Sequence, residues 1–593
     1  MSELHYTTEK NVQIVIALLK AYGINQIIAS PGSTNIPFVM SVQNDPYFKV
    51  VSSVDERSAA YMACGMAAES QKPVVLSCTG ATASRNYFPG LTEAFYRKLP
   101  IIALTSTRPL SMIGNLEAQV IDRTQLPKDV AVESVFAPLV TDSLTEWDCK
   151  MKVNKALIAL TRNGGGPVHI NLETKSAMDF SVSELPDIRP IARVTIYDEF
   201  PEVPKGKIGI MVGSHLPFGK ELTSAIDLFC ENYNAVVFCD QTSNYRGNYR
   251  IMAPIMGAQD KYKSTASYMD VLIHMGELCG AYEEFSIMTT AKNVWRLNED
   301  GVPRDQFHKL NRVFDMPEIE FFSRFNNRCT EARGTSFFDE CAMEHKMLVS
   351  KIPSSLPFSN ISIAHFLSGK LPANSVLHMA ILNSLRAWNF FETGSEICGY
   401  CNVGGFGIDG AVSTMIGASL VHSEKIYYCF IGDLAFFYDL NSMANRHVGN
   451  NVRILMVNNG HGQEFRNYTH PASRFGEETD KFVAAAGHFG NKSTSLVKGY
   501  AESLGYEYLS AHSQKEFESN VADFVNPEIG ERPIIFEVFT ETQDENSALE
   551  IMRNLAKSNV QIIKNEVRKA ITNVVGEEGF NNLRRKIKKI ICA

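Results

Sequence analysis

Short apolar runs and stretches with apolar positions every three or four residues alternate along this chain. Val12, Val15, Ile16 and Leu19 mark one face of a helix from Glu9 to Gly23. The runs after it are short and β-prone: Gln26–Ala29 ends in a Gly/Pro turn, and Val50–Val54 leads into a helix of small residues, Ser58-Ala-Ala-Tyr-Met-Ala-Cys-Gly-Met-Ala-Ala. Much later, Lys425–Ile431 and Val452–Val457 read as buried parallel strands, with a helix expected between them from Asp439 to His447. This alternation predicts an α/β chain of parallel sheets wound with helices on both faces. A Pro-rich connection from Leu185 to Pro204 and a second Pro cluster from Pro353 to Pro357 divide it. The expected domains are 1–184, 205–345 and 355–542, followed by a helical extension, 543–593, rich in Lys, Asn and Glu.

Length and composition agree with that division. With 593 residues, 45% of them hydrophobic, three or four domains of ~150 residues each can be filled. The formal charge of −8 gives no basic surface of the nucleic-acid-binding kind. The terminal run Leu583–Ile591 alternates apolar and basic positions; it fits contact with an anionic membrane surface or an ordinary terminal helix, and composition favours the helix. The twelve cysteines are scattered, often inside apolar runs, as in a reducing compartment, and Cys398-Gly-Tyr-Cys401 has no second pair at zinc spacing. No leader pattern opens the chain and no apolar run reaches ~18 residues. The expectation is a soluble cytoplasmic protein.

Two segments carry candidate chemistry. Gly432-Asp433-Leu434 follows one strand and Asn458-Asn459 ends the next, so Asp433 and Asn459 can meet where open α/β sheets bind ligands. A carboxylate, an amide oxygen and a backbone carbonyl near His461 would suit Mg²⁺, a hard ion that prefers oxygen and shares its shell with phosphate and water. Taken alone, Gly-Asp reads as an ordinary turn with a capping carboxylate. The second segment changes the balance: in Asp55-Glu56-Arg57 the glutamate stands at a strand-to-helix junction, just ahead of the small-residue helix.

Together with Ser30-Pro31-Gly32-Ser33, Thr79-Gly-Ala-Thr-Ala83, Asn86-Tyr-Phe-Pro89, Thr107-Arg108-Pro109, Asn383-Ser384 and Gly407-Ile408-Asp409-Gly410, these segments resemble the thiamine diphosphate-dependent 2-oxo acid decarboxylase and carboligase superfamily, and within it the SEPHCHC synthases of menaquinone biosynthesis. The resemblance implies a pyrimidine-binding, a middle and a diphosphate-binding domain, each with a doubly wound parallel sheet. It implies thiamine diphosphate and Mg²⁺ as cofactors, and at least a homodimer, with a homotetramer common, whose active sites lie at the subunit interface. Glu56 matches the glutamate that hydrogen-bonds the aminopyrimidine and promotes loss of the C2 proton. Ser30, Pro31, Gly32 and Asn86 fall on the pyrimidine side, Gly407, Ile408 and Asp409 beside the thiazolium, and Gly432 and Leu434 around the metal residues Asp433, Asn459 and His461.

On the substrate side the resemblance implies departures. Where the SEPHCHC synthases carry arginines that grip the carboxylates of 2-oxoglutarate and isochorismate, this chain has Thr34 and Val403; Arg386 is displaced from its expected place, which Trp388 takes. Arg108 remains. Losing two or three charge-assisted contacts at about 1.5–3 kcal/mol each favours a smaller or less anionic donor such as pyruvate. In the loop Gly460–Pro471, Glu464 replaces an aliphatic residue, which makes Glu464 and His461 candidate proton donors, with Phe465 beside them and Gln119 a weaker candidate. The expected function is cleavage of a 2-oxo acid with transfer of its acyl carbanion to an acceptor; the alternatives are simple decarboxylation to an aldehyde or the SEPHCHC synthase reaction itself.

Overall fold

The structure is a computed structural model and describes residues 5–281, 284–487 and 493–557. The chain separates into two compact units, residues 1–203 with 292–325, and residues 204–291 with 326–593. The basic terminal run and most of the expected helical extension lie outside the described residues.

In the first unit, strands β1 (Gln26–Ala29), β2 (Lys49–Ser52), β3 (Val74–Cys78), β4 (Ile101–Thr107), β5 (Glu133–Ala137) and β6 (Val168–Glu173) form one sheet in the order β2-β1-β3-β4-β6-β5, every pairing parallel. β3 and β4 are buried at every position, as expected of central strands with a helical layer on both faces. Alternate side chains serve the two cores. Val75 joins Val15, Phe38 and Leu157 on one face, whereas Val74, Leu76 and Cys78 join Ala60, Ala63 and Leu91 on the other.

The helix Glu56–Ser70 is short of bulky core residues because it lies against another helix, Phe88–Arg97. A Cβ on Gly90 of that second helix would stand 2.5 Å from the Cβ of Ala60, so only small residues permit the approach. The first helix starts at Glu56, not at Ser58, since Asp55 caps it by accepting from the Ser58 backbone N–H at 2.9 Å. The Pro-rich connection also differs from expectation: it carries strand β7 (Ala192–Thr195), held by buried Ile191 and Val194 and by an Arg193–Asp315 ion pair of 2.7 Å.

Strands β8 (Ile208–Val212), β9 (Ala235–Cys239), β10 (Arg250–Met252) and β11 (Val271–Met275) run parallel in the order β10-β9-β8-β11 in the second unit. In the first unit, β12 (Asn293–Asn298) and β13 (Leu310–Asp315) are parallel to each other and β13 to β7. The remaining sheet, in the second unit, holds β14 (Ser375–Met379), β15 (Cys398–Cys401), β16 (Ile426–Gly432), β17 (Val452–Asn458), β18 (Glu507–Ala511) and β19 (Ile534–Phe539) in the order β15-β14-β16-β17-β19-β18. That is the order of the first sheet, strand for strand. Both sheets therefore reverse direction of winding at equivalent places, between β1 and β3 and between β14 and β16, where ligand crevices form. No described helix is long and apolar enough to cross a membrane, and no described cysteine is in a disulfide.

Candidate active site

In the second unit, β16 delivers Asp433 directly onto the first turn of a helix, Asp433–Tyr438, that precedes the segment expected to be helical, Asp439–His447, of which Leu440–Ala444 forms a 3-10 helix. Asp439 stops the Asp433–Tyr438 helix by turning its carboxylate to the Ser413 backbone N–H, at 2.6 Å, and to the Ser413 hydroxyl. Asp433 is buried. One carboxylate oxygen accepts from the Leu434 N–H at 2.8 Å and the other from the Gly460 N–H at 2.7 Å, which ties the ends of β16 and β17 together. Burial pushes its pKa up to about 6 against the pull of those two N–H groups, the position of an anion awaiting a positive charge. Asn459 is also buried, and its Oδ1 has no hydrogen-bond partner among the described residues. A buried carbonyl oxygen left unpaired suits a cation ligand. Among the described residues no three His, Cys, Asp or Glu side chains converge, so a cation held here would complete its shell with amide, backbone and phosphate oxygens.

Around this point, Gly432 is extended and precedes the helix, and the Leu434 side chain lies 3.5 Å from where a Cβ on Gly462 would be. Ile408 is half-buried against the core of this sheet, while Asp409 is exposed and its Oδ1 lies 2.5 Å from where a Cβ on Gly407 would be. The His461 imidazole is engaged by Gln463 Oε1 at 3.0 Å and Thr542 Oγ1 at 2.9 Å.

The loop beyond it supplies an arrangement not visible in the sequence. Arg386 and Glu464 form a two-point ion pair, at 2.8 and 3.1 Å, and Asn383 and Asn467 bind into the same group at 3.0, 2.7 and 3.1 Å. The expected proton donor Glu464 thus holds the displaced substrate-side Arg386. Phe465 packs edge-on against His470. Trp388 is a core residue, 4.3 Å from Phe430 between ring centres, and Val403 is likewise buried; both face packed interior in this structure.

In the first unit, Glu56 stands at the first position of its helix, and Asn86 Nδ2 approaches its Oε2 at 3.3 Å. Ser30 is buried at the end of β1 with its hydroxyl unpartnered among the described residues; its carbonyl accepts from Asn35 at 2.9 Å. Pro31 is exposed, and a Cβ on Gly32 would stand 2.6 Å from Thr79, so only glycine lets those loops meet. Thr34 is buried, 2.5 Å from the Thr79 hydroxyl and 3.1 Å from the Ser106 carbonyl it donates to. Arg108, at the end of β4, is half-exposed and only loosely paired with Glu117, at 3.9 Å. Gln119 is exposed on a loop with φ of 64°. Ser30, Thr34, Glu56 and Arg108 therefore all sit at the carboxyl ends of the first sheet's strands or on the helix starts beyond them, and Asn86 closes the short helix Thr82–Asn86 that follows β3. A cavity of about 770 Å³ in this unit, between Trp147, Arg189 and His308, contains none of them.

Residues 10–126 match the thiamine pyrophosphate enzyme N-terminal TPP-binding domain, the segment that carries Ser30, Glu56 and Asn86. Over 557 residues, 89% of this chain and 96% of the relative, the sequence is 30% identical to the 2-succinyl-5-enolpyruvyl-6-hydroxy-3-cyclohexene-1-carboxylate synthase of Flavobacterium johnsoniae. The synthase of the same name from Bacteroides fragilis is 29% identical over 90% of this chain and 97% of its own length, and that of Desulfotalea psychrophila 27% identical over 88% and 96%. The chain belongs to the thiamine diphosphate-dependent enzyme family that includes these synthases, and its cofactors are thiamine diphosphate and a divalent metal ion.

Proposed function

We propose that this enzyme removes CO₂ from a 2-oxo acid and joins the remaining acyl unit to an unsaturated cyclic acceptor, the reaction for which its relatives are named. The observation that carries this reading is similarity along nearly the whole chain to relatives that share one activity. Their product name contains a succinyl group, which is what 2-oxoglutarate leaves after losing its C1 carboxylate, on a ring bearing carboxylate and enolpyruvyl groups as in isochorismate. Bound thiamine diphosphate supplies the nucleophilic carbon and the electron sink for this chemistry.

The chain's own residues divide the remaining work. Asp433 and Asn459 would hold the metal and through it the diphosphate, with Mg²⁺ the ion that their oxygen donors suit. Glu56 would hydrogen-bond the aminopyrimidine, with Asn86 steadying its carboxylate, while Ser30, Gly32 and Gly407 let backbone lie close to the cofactor and Ile408 fills space beside it. Arg386, paired with Glu464, would hold it in place to move a proton at the acceptor's oxygen. A homodimer is the smallest assembly in this reading, with Glu56 of one chain serving Asp433 and Asn459 of the other. The exposed apolar side chains Val54, Tyr61, Met62 and Tyr96, on and around the Glu56–Ser70 helix, support a covered surface there. The three domains assigned from the sequence, 1–184, 205–345 and 355–542, are retained as functional divisions.

One observation favours a second reading. Thr34 is buried and bonded to Thr79 and Ser106, and Val403 is buried, so neither position offers the charge expected for a dicarboxylic donor; pyruvate is then the donor. The test supplies purified enzyme, Mg²⁺ and thiamine diphosphate with 2-oxoglutarate or pyruvate, with and without isochorismate, and follows CO₂ and product mass. Acceptor-dependent CO₂ release from 2-oxoglutarate supports the first reading, and preference for pyruvate the second. Equal CO₂ release without any acceptor contradicts carboligation and makes the enzyme a decarboxylase.

A further inference from the structure

Arg123 presents the least satisfied charge in the first unit. It is 3% exposed, and its Nε, Nη1 and Nη2 are all buried without a hydrogen-bond partner among the described residues. A guanidinium has five N–H donors in a rigid plane, and burying it unpaired is costly unless an anion is to arrive. The groups whose charges act on it, the Cys78 thiol and Arg85, include no carboxylate. The Cys78 thiol is pushed up to about 12 by burial and so stays protonated. His169 is pushed down to about 3 by burial, and next by the positive charges of Arg123 and Arg85. The neighbouring Asp122 carboxylate is turned to Thr124, at 2.6 and 2.9 Å, and Arg85 adds a second cation by donating to the Asp122 carbonyl at 2.8 Å.

The position of this charge is specific. A Cβ on Gly80 would lie 3.4 Å from Arg123 Nη2 and 3.2 Å from the Ser106 carbonyl oxygen. Gly80 follows Thr79, whose hydroxyl meets that of Thr34, and Thr34 donates to the same Ser106 carbonyl. Arg123 and Thr34 therefore flank one spot at the carboxyl ends of β3 and β4. The loop that brings Arg123 there carries two non-glycine residues in the left-handed region, Leu116 at φ 57° and Gln119 at φ 64°, and Leu116 is fully exposed. Such backbone is held at a cost and is common where a loop adjusts around a ligand.

We propose that Arg123 is the counter-ion for a substrate carboxylate on the pyrimidine-domain side, replacing in this chain the positive charge that Thr34 does not provide. The inference rests on the carboligase reading and names the substrate class it requires there: an acid with a carboxylate besides the one lost as CO₂. Arg123 is then a specificity-determining residue, pairing with the carboxylate by charge-assisted hydrogen bonds, and the enzyme accepts a less stable unliganded state in exchange for it.

The test compares the wild-type chain with Arg123→Met and Arg123→Lys, using succinate and 2-oxoglutarate as probes and dimethyl succinate as the uncharged control. Three quantities are measured: the melting temperature without ligand, its rise with each probe, and the dissociation constant of thiamine diphosphate with Mg²⁺. The expected result is that Arg123→Met melts no lower than wild type without ligand, loses the carboxylate-dependent rise, keeps its cofactor affinity within about threefold, and raises the KM of a dicarboxylic substrate at least tenfold with a smaller change in kcat; Arg123→Lys recovers part of the loss. An Arg123→Met chain that melts lower and still responds to succinate and 2-oxoglutarate as wild type does overturns the proposal, as does a wild type that responds to neither. Because cofactor binding is read separately, a wild type that binds the carboxylates but not thiamine diphosphate refutes the carboligase reading and not the carboxylate site.

Discussion

Glu56 and Asp433 show two ways in which a single carboxylate can be prepared for work. Glu56 stays at the surface of its unit, on the first turn of a helix whose amide dipoles favour a negative charge, with one amide neighbour at 3.3 Å. Asp433 is buried and gripped by two backbone N–H groups, and burial raises its pKa in spite of them, which suits the metal-holding role proposed for it. Replacing Glu56 by Gln preserves size and removes the carboxylate proposed to polarise the aminopyrimidine. Titration calorimetry should find thiamine diphosphate affinity within about threefold of wild type, while turnover falls at least 100-fold, the lower range for general acid–base contributions; near-normal turnover in that variant would remove Glu56 from the site. Both carboxylates were legible in the sequence because each lies at a strand end beside a small turn, where the chain order alone restricts its position. Arg123, and the pairing of Arg386 with Glu464, were not legible, because each depends on where loops distant in sequence are brought by the fold.

Between residue and fold, the packing of elements makes predictions of its own. The helices Glu56–Ser70 and Phe88–Arg97 meet at Ala60 and Gly90, where an added methyl would stand 2.5 Å from the facing one. Gly90→Ala should therefore destabilise the chain by about 1–3 kcal/mol, the usual cost of overpacking, despite alanine's better helix propensity; a urea unfolding midpoint equal to or above that of wild type would show that the helices separate freely. Glu545 is a second case. It is buried, accepting from the Asn360 backbone N–H at the start of the helix Asn360–Leu367 and from Thr540, and burial pushes its pKa up to about 7 from an ordinary 4.5. A pKa raised on folding means that its stabilising contribution is complete below pH 4.5 and is lost as pH rises through about 7. Relative to Glu545→Gln, wild-type stability should thus fall by about 3 kcal/mol between pH 4.5 and 8, measured by denaturant titration at a series of pH values. A constant difference between the two chains would mean that Glu545 titrates normally. These elements were only partly anticipated from the pattern of apolar positions. The helix Asp433–Tyr438 was missed, and only Leu440–Ala444 of the expected Asp439–His447 helix forms, as a 3-10 turn, because the break between them is set by Asp439 binding Ser413, a contact from another segment; β7 was missed because prolines on either side disguise a short strand anchored by buried Val194 and the preceding Ile191.

Across the whole molecule, the first and last sheets share one strand order, and each carries candidate site residues at the carboxyl ends of its strands. The parallel α/β class was accessible from alternating apolar runs, since central parallel strands must be apolar on both faces, whereas the strand order shared by the two sheets is a result of the fold. Substrate identity was less accessible: missing arginines pointed to a small donor, whereas full-length relatives carry the name of a synthase that makes a succinyl-bearing ring. Charge supplied from a different loop reconciles the two, which is the role assigned to Arg123. In the proposed enzyme, Glu56 of one chain and the Asp433–Asn459 pair of another act on the same cofactor, and this shared site is what the function rests on. It is tested most directly by mixing two inactive variants, Glu56→Gln and Asn459→Ala, by co-expression and measuring turnover of the mixture. Random pairing in a twofold-symmetric dimer gives one intact site in each mixed dimer, so activity should return to about a quarter of the wild-type value. A mixture as inactive as either parent, with mixed dimers demonstrated by affinity tags, would contradict the claim.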